Sequence, residues 1–331
     1  MHDVVIKAEE ITVVTQLEGK PVPFAYYVNY LGWGYGNFLI DDRSLEAFRI
    51  GLSKIKDGLT RELIYNSISK MVTDGRAPAH LFLDIIRNHM ANESNMNLIS
   101  TMLSSKVPSF LRYYVPKENY TEEADKMFEF LLNEFLPKIE NEEIKQHVIS
   151  AIISVGSSDK HKEILQKWLI NKKPFYLDNG EQKDISANLT IGNRHTILKK
   201  ISTSLKLNNA EFQELFEKQM EEDSKDGDLV SRCKLSIEAA KFDKEVKAKF
   251  MDELLAAKCD RSIWDQRAIA ATLMPLSQEE IVKPLVDRFF EEITIVFKNR
   301  LRDERDAIYY ALHPLQFASE ELLKKYEDCV R

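Results

Sequence analysis

The chain changes its hydrophobic period once, near residue 40. Before that point the apolar positions fall in short β-branched runs, over residues 4–6 and 11–17. Thr12, Val13, Val14 and Thr15 favour a pleated, half-buried surface, where branched side chains pack well. Glu18-Gly19-Lys20-Pro21 supplies turn chemistry, and residues 24–29 and 35–40 are candidates for further strands. Four short strands bury little by themselves, so the pattern predicts the end of a β-sandwich over residues 1–40.

From residue 41 the spacing is helical. Leu45, Phe48, Leu52 and Ile55 lie on one helix face, as do Leu63, Ile64, Ile68 and Met71. That second helix is expected to stop at Asp74-Gly75, where glycine takes the left-handed cap. Similar stripes recur to the end of the chain, among them Ile144, Val148, Ile152 and Val155, then Ile197, Leu198, Ile201 and Leu205, and finally Leu322, Leu323 and Tyr326. Asn208-Asn209-Ala210-Glu211 has the form of a helix cap, and Ser277-Gln278-Glu279-Glu280 that of a capping box. Residues 171–190, with Pro174, Asp178, Asn179 and Gly180, have loop chemistry. More than a dozen short helices with short connections do not share one bundle core. The expected architecture is mostly α, an irregular HEAT- or armadillo-like α-solenoid of antiparallel helix pairs over residues 41–331. No clean repeat is visible in the sequence.

Composition narrows the function classes. The 331 residues are 44% hydrophobic and 30% charged, with a formal net charge of −7. This excludes the basic footprint of a nucleic-acid binder. No apolar run approaches the ~20 residues of a membrane span, and the first residues do not form a signal peptide. Cys233, Cys259 and Cys329 have spacings that suit neither a disulfide framework nor a metal clip, which fits a reducing, cytoplasmic setting.

Candidate chemistry is sparse. The seven histidines are His2, His80, His89, His147, His161, His195 and His313. None of them forms the His-Glu-x-x-His of a zincin. His89 and Glu93 share a helical spacing, but one imidazole and one carboxylate do not make a zinc site. Gly32-Trp33-Gly34-Tyr35-Gly36 lacks the lysine of a phosphate loop and suits an aromatic-lined turn. A rival reading, an all-α enzyme, has His80, Asp84 and His89 converge in space. Glu221-Glu222-Asp223 and the other acidic runs suit solvated helix faces and helix starts.

Four stretches, in order along the chain, resemble the C-terminal helical domain of the aminopeptidase N family, the gluzincin zinc aminopeptidases. Residues 11–42 carry Gly19-Lys20-Pro21, Val28-Asn29, Gly34-Tyr35-Gly36 and Leu39-Ile40-Asp41. Residues 44–75 carry Ser44-Leu45, Leu59-Thr60-Arg61 and Met71-Val72-Thr73-Asp74-Gly75. Residues 189–255 carry Leu189-Thr190, Arg194-His195-Thr196-Ile197-Leu198, Asp223-Ser224-Lys225-Asp226-Gly227 and Phe242-Asp243-Lys244-Glu245-Val246-Lys247. The tail carries Tyr309-Tyr310-Ala311-Leu312-His313-Pro314 and Leu322-Leu323. The family usually has Trp where His195 stands. The resemblance implies a non-catalytic domain that closes the substrate chamber and binds peptide. Its partner is the N-terminal catalytic domain of the same enzyme, which holds the zinc; no cofactor is expected in this chain. Arg194 is the candidate for holding a peptide carboxylate by charge-assisted hydrogen bonds; its alternative role is pairing with a neighbouring carboxylate. A free-standing HEAT-like scaffold for partner proteins is the second reading.

Overall fold

The first helix opens where a carboxylate can satisfy its orphan amides: Asp41 accepts from Ser44 N at 3.1 Å. The computed structural model describes residues 11–314, 317 and 319–330. It contains α1 (Asp42–Gly51), α2 (Gly58–Thr73), α3 (Ala79–His89), α4 (Met96–Thr101), α5 (Val107–Tyr113), α6 (Lys117–Glu129), α7 (Glu142–Val155) and α8 (Asp159–Asn171). A hairpin of β1 (Phe175–Asp178) and β2 (Glu181–Asp184) follows. Then come α9 (Ile191–Ser202), α10 (Ala210–Glu222), α11 (Gly227–Ala239), α12 (Lys244–Leu255), α13 (Ile263–Leu273), α14 (Glu279–Asn299), α15 (Arg302–Leu312) and α16 (Glu320–Val330). A π-helical turn, Met102–Lys106, joins α4 and α5, and a second, Phe130–Phe135, extends α6.

The helices stack in two layers. One contains α1, α3 and α6, and further on α12, α14 and α16; the other runs through α4–α5, α7, α9, α11, α13 and α15. Packing between helices two steps apart is the mark of a solenoid, because each helical pair buries its apolar stripe only against its neighbours. Helices of the second layer run parallel. Ser150 meets Asn193 and Ser154 meets Lys200 between α7 and α9, while Ser236 meets Ala268 and Thr272 between α11 and α13. Their C-terminal ends therefore share one edge. At that edge the array curls back on itself: Ser277 Oγ donates to Thr203 O at 2.7 Å, and Lys117 pairs with Glu279.

The glycine cap predicted at Gly75 is present, with φ +68° and the Arg76 N–H bonded to Met71 O at 2.8 Å. Glycine is scarce elsewhere, and side chains from neighbouring helices bond the helix-end carbonyls. His89 Nε2 and Asn88 Nδ2 bond Arg49 O at the end of α1. Lys200 bonds Ser154 O near the end of α7. Arg300 donates to Glu253 O and Ala256 O at the end of α12. A cation at a helix C-terminus also offsets the macrodipole.

Three expectations change. Residues 11–40 contain no strand among the described residues, so the strands expected over 11–17, 24–29 and 35–40 are not formed; the run at 4–6 lies outside the described residues. A strand needs a neighbour for its ladder, and this segment lies instead along α1 and α2. Tyr26 N donates to Ser44 Oγ at 3.1 Å, and Tyr27 OH bonds Leu63 O at 3.1 Å. Ile11, Val13, Phe24 and Trp33 stay exposed. Residues 171–190, with their loop chemistry, hold the hairpin, whose turn uses Asn179 (φ +50°) and Gly180 (φ +85°), the left-handed pair that suits a two-residue connection. Ser277 is not the cap of α14, because its hydroxyl is spent on Thr203 O across the array.

Candidate functional site

The N-terminal end of α9 and the C-terminal ends of α8 and α10 enclose an open cleft of 540 Å³, lined by Lys172, Asn188, Leu189, Arg194, Glu222 and Asp223. Thr190 caps α9 by accepting from Asn193 N at 3.1 Å, which fixes the first turn and so the direction of Arg194. Arg194 Nη1 donates to Leu189 O at 2.7 Å, and Nη2 pairs with Asp223 Oδ1. Asp223 also accepts from Gln219 Nε2 at 2.9 Å and meets His195 Nε2 at 3.1 Å. Burial raises the Asp223 carboxyl, but Arg194 and Gln219 outweigh it and hold the group below its ordinary value. Lys172 bonds both oxygens of Glu222 at 2.9 Å. Both cations of the cleft therefore already face a carboxylate.

The curled edge is different. Lys162 on α8 is 4% exposed, and its ammonium reaches Thr203 Oγ1 at 3.3 Å. Lys200, at the end of α9, bonds Ser154 O. Among the described residues neither ammonium is paired in a salt bridge, and Asp159 only partly offsets the burial that lowers Lys162. Burial, with the charges of Lys162 and Arg112, brings Lys200 down to about 8. Arg112, at the end of α5, also acts on His313 at the end of α15, whose imidazole is pushed down to about 4, by burial first and Arg112 second. Three helix ends far apart in sequence thus bring Arg112, Lys162 and Lys200 into one electrostatic neighbourhood. The signal was present in part: Lys162 stands three and seven residues before Leu165 and Leu169 on the buried face of α8, and Lys200 lies between Leu198 and Ile201. What the sequence does not show is that the two lysines meet.

His80, Asp84 and His89 do not form a common site. Asp84 pairs with Arg87 at 2.5 Å, and His89 bonds Arg49 O at 2.9 Å and Ser53 Oγ at 3.1 Å. Glu93 turns from His89 to Arg61, bonding its Nε at 2.7 Å. Among the described residues no three His, Cys, Asp or Glu side chains gather as a metal ion requires. Cys233 is buried against His195 O, and burial pushes its thiol up to about 12, so it is not a nucleophile at neutral pH.

Burial is the first cause that lowers His89, His161, His195 and His313 alike. Each is neutral in the fold, and the unfolded chain takes up the protons near pH 6.5. Stability therefore rises with pH through the window below 6.5 and falls as pH drops toward about 4. Urea unfolding at pH 5 is expected to give about 1–3 kcal/mol less stability than at pH 7. Equal midpoints at the two values would contradict this.

No described helix is long and apolar enough to cross a membrane. No curated protein matches the chain. Residues 25–331 match the family described as ERAP1-like C-terminal domain.

Proposed function

The chain belongs to the ERAP1-like C-terminal domain family, the C-terminal domain of the M1 aminopeptidases, and from that membership we propose that it is the wall of a peptidase chamber. In this reading the wall closes over a zinc-bearing catalytic domain of the same enzyme and binds the peptide whose N-terminal residue that domain removes. Residues 41–331 form the wall. Residues 1–40 belong to an adjoining β-sandwich domain, whose strands provide the pairing that residues 11–40 lack here. The described residues do not offer a metal's ligands, so no step of the hydrolysis is assigned to them. A cytoplasmic location fits the free thiols of Cys233 and Cys259.

The observation that carries the reading is the curled edge. A solenoid that brings the starts of α6 and α14 together through Lys117 and Glu279 curls back on itself, and in this reading the curl is the wall of a bowl. A bowl surrounds a flexible peptide and excludes a folded protein. At its closed edge Lys162, offset in part by Asp159, and Lys200 form no ion pair among the described residues, and a peptide's C-terminal carboxylate would add opposite charge there. Arg194 is the second candidate for that carboxylate. Binding there requires the ligand to compete with Asp223, itself held by Gln219 and His195.

The chain alone is expected to release nothing from an aminoacyl anilide in the presence of zinc, and turnover would overturn the proposal. A fluorescent decapeptide with a free C-terminus is expected to bind about 10-fold more tightly than its C-terminal amide, the worth of one charge-assisted hydrogen bond. Lys162→Gln is expected to erase that preference, whereas loss on Arg194→Gln would move the site to the cleft. Equal affinity of acid and amide for the unaltered chain would remove peptide-carboxylate recognition from the reading.

A further inference from the structure

Burial brings two lysines of this fold, Lys200 and Lys247, down to about 8, and their surroundings separate them. Lys247 is 0% exposed, its ammonium bonds the Ala239 and Leu273 carbonyls, and burial alone lowers it. An anion formed on that nitrogen would meet no cation among the described residues. Lys200 differs in two respects. It stands in the last turn of α9 with part of its surface open, so a small neutral molecule reaches it. The charges that act on its ammonium are those of Lys162 on α8 and Arg112 at the end of α5, both positive.

Lys162 and Lys200 are not equivalent. Asp159, which accepts from Ser204 Oγ at 2.7 Å, partly offsets the burial of Lys162 and favours its charged form. No carboxylate acts on Lys200 in this way. Crowding of like charges out of water is relieved when one of them becomes neutral, and Lys200 is the one that yields. A neutral amine is a nucleophile, whereas an ammonium is not. The bond from Lys200 to Ser154 O uses one N–H, and the lone pair of the neutral amine is left for chemistry.

We propose that Lys200 is an acceptor of carbon dioxide, its Nζ forming a carbamate that Lys162 holds. The Nζ lone pair bonds to the carbon of carbon dioxide, one C–O π pair withdraws onto oxygen, and a proton leaves Nζ for water. The nitrogen keeps one hydrogen, enough to retain the bond to Ser154 O. The new carboxylate accepts from the Lys162 ammonium, so a cluster of like charges becomes an ion pair. That this withholds the site from a peptide's C-terminal carboxylate rests on the function proposed above; the carbamate itself does not.

The test incubates the full chain with isotopically labelled bicarbonate in equilibrium with carbon dioxide, traps carbamates by alkylation with a trialkyloxonium salt, and locates the labelled ester by peptide mass spectrometry. Label is expected at Lys200, and neither at Lys247 nor at the exposed Lys258. Lys162→Gln is expected to lower the trapped fraction about 10-fold, the worth of one charge-assisted hydrogen bond. Lys162→Arg, which keeps the charge, is expected to retain it. Circular dichroism checks that both variants fold. An unlabelled Lys200 in the unaltered chain would overturn the proposal, as would equal labelling of Lys200 and Lys258. Equal trapping in Lys162→Gln and the unaltered chain would overturn the role of Lys162. Carbon dioxide is also expected to bring the affinity of the fluorescent acid peptide down to that of its amide. Label at Lys200 with an unchanged preference for the acid would overturn this regulation alone. Label at Lys200 in a chain that never prefers the acid would overturn the peptide reading alone.

Discussion

Glu93→Ala is expected to lower the unfolding free energy by about 3–5 kcal/mol, the usual consequence of leaving one partner of a buried ion pair alone. The Glu93 side chain is 2% exposed and that of Arg61 13%. The pair is bidentate, Arg61 Nε and Nη2 each standing 2.7 Å from a carboxylate oxygen. Glu93 also accepts from Ser94 N and Asn95 N at 2.9 Å, and Arg61 Nη1 donates to Ile55 O at 2.7 Å. Removing the carboxylate strands a buried guanidinium and two backbone amides together. Burial raises the Glu93 carboxyl, but Arg61 and the two amides more than compensate and keep it below its ordinary value. Its contribution is therefore present at neutral pH and lost as pH falls through the depressed value. Arg61→Met combined with Glu93→Ala is expected to cost less than the sum of the single changes, since each single change strands the other group. Urea unfolding measures all three. A loss below about 1 kcal/mol for Glu93→Ala would show the pair to be dispensable.

Lys247→Met is expected to cost about 2–4 kcal/mol. Lys247 is 0% exposed, and its ammonium donates to Ala239 O at 3.0 Å and Leu273 O at 2.7 Å. These carbonyls end α11 and α13, so one side chain on α12 serves two helix C-termini. Met fills the same volume but leaves both carbonyls without a donor. Burial brings Lys247 down to about 8 from an ordinary 10.5. Between those values the unfolded chain holds more protons than the fold, so wild-type stability rises with pH there. Met does not titrate. The gap between the two proteins is expected to widen by about 1–2 kcal/mol from pH 7 to pH 9.5. A variant as stable as wild type at both pH values would show that Lys247 does not hold those two helix ends.

The helical domain was legible because its signals are local. The stripe Leu63, Ile64, Ile68 and Met71 belongs to α2, and Asp74-Gly75 ends it as glycine chemistry requires. Asn209 caps α10 by accepting from Phe212 N. Residues 11–40 show the limit of the same reasoning. Their branched runs have strand propensity, yet a strand forms only where a second one offers its backbone, and no local pattern states whether it does.

The candidate site was less legible, because its geometry is set by contacts between residues far apart. His89 and Glu93 are four residues apart and still face different partners, Arg49 O and Arg61. Arg194 was visible in its motif, but its neutralising partner Asp223 lies 29 residues further on. The sequence by itself determined helices such as α2, several of their ends and the need to stack them, since period and capping chemistry act within a turn or two of the chain. Only the tertiary structure decided which carbonyls Lys200 and Lys247 cap, which cations keep a carboxylate, and that α6 and α14 meet. Those outcomes depend on the small rotation between successive helical pairs, which accumulates along the whole stack.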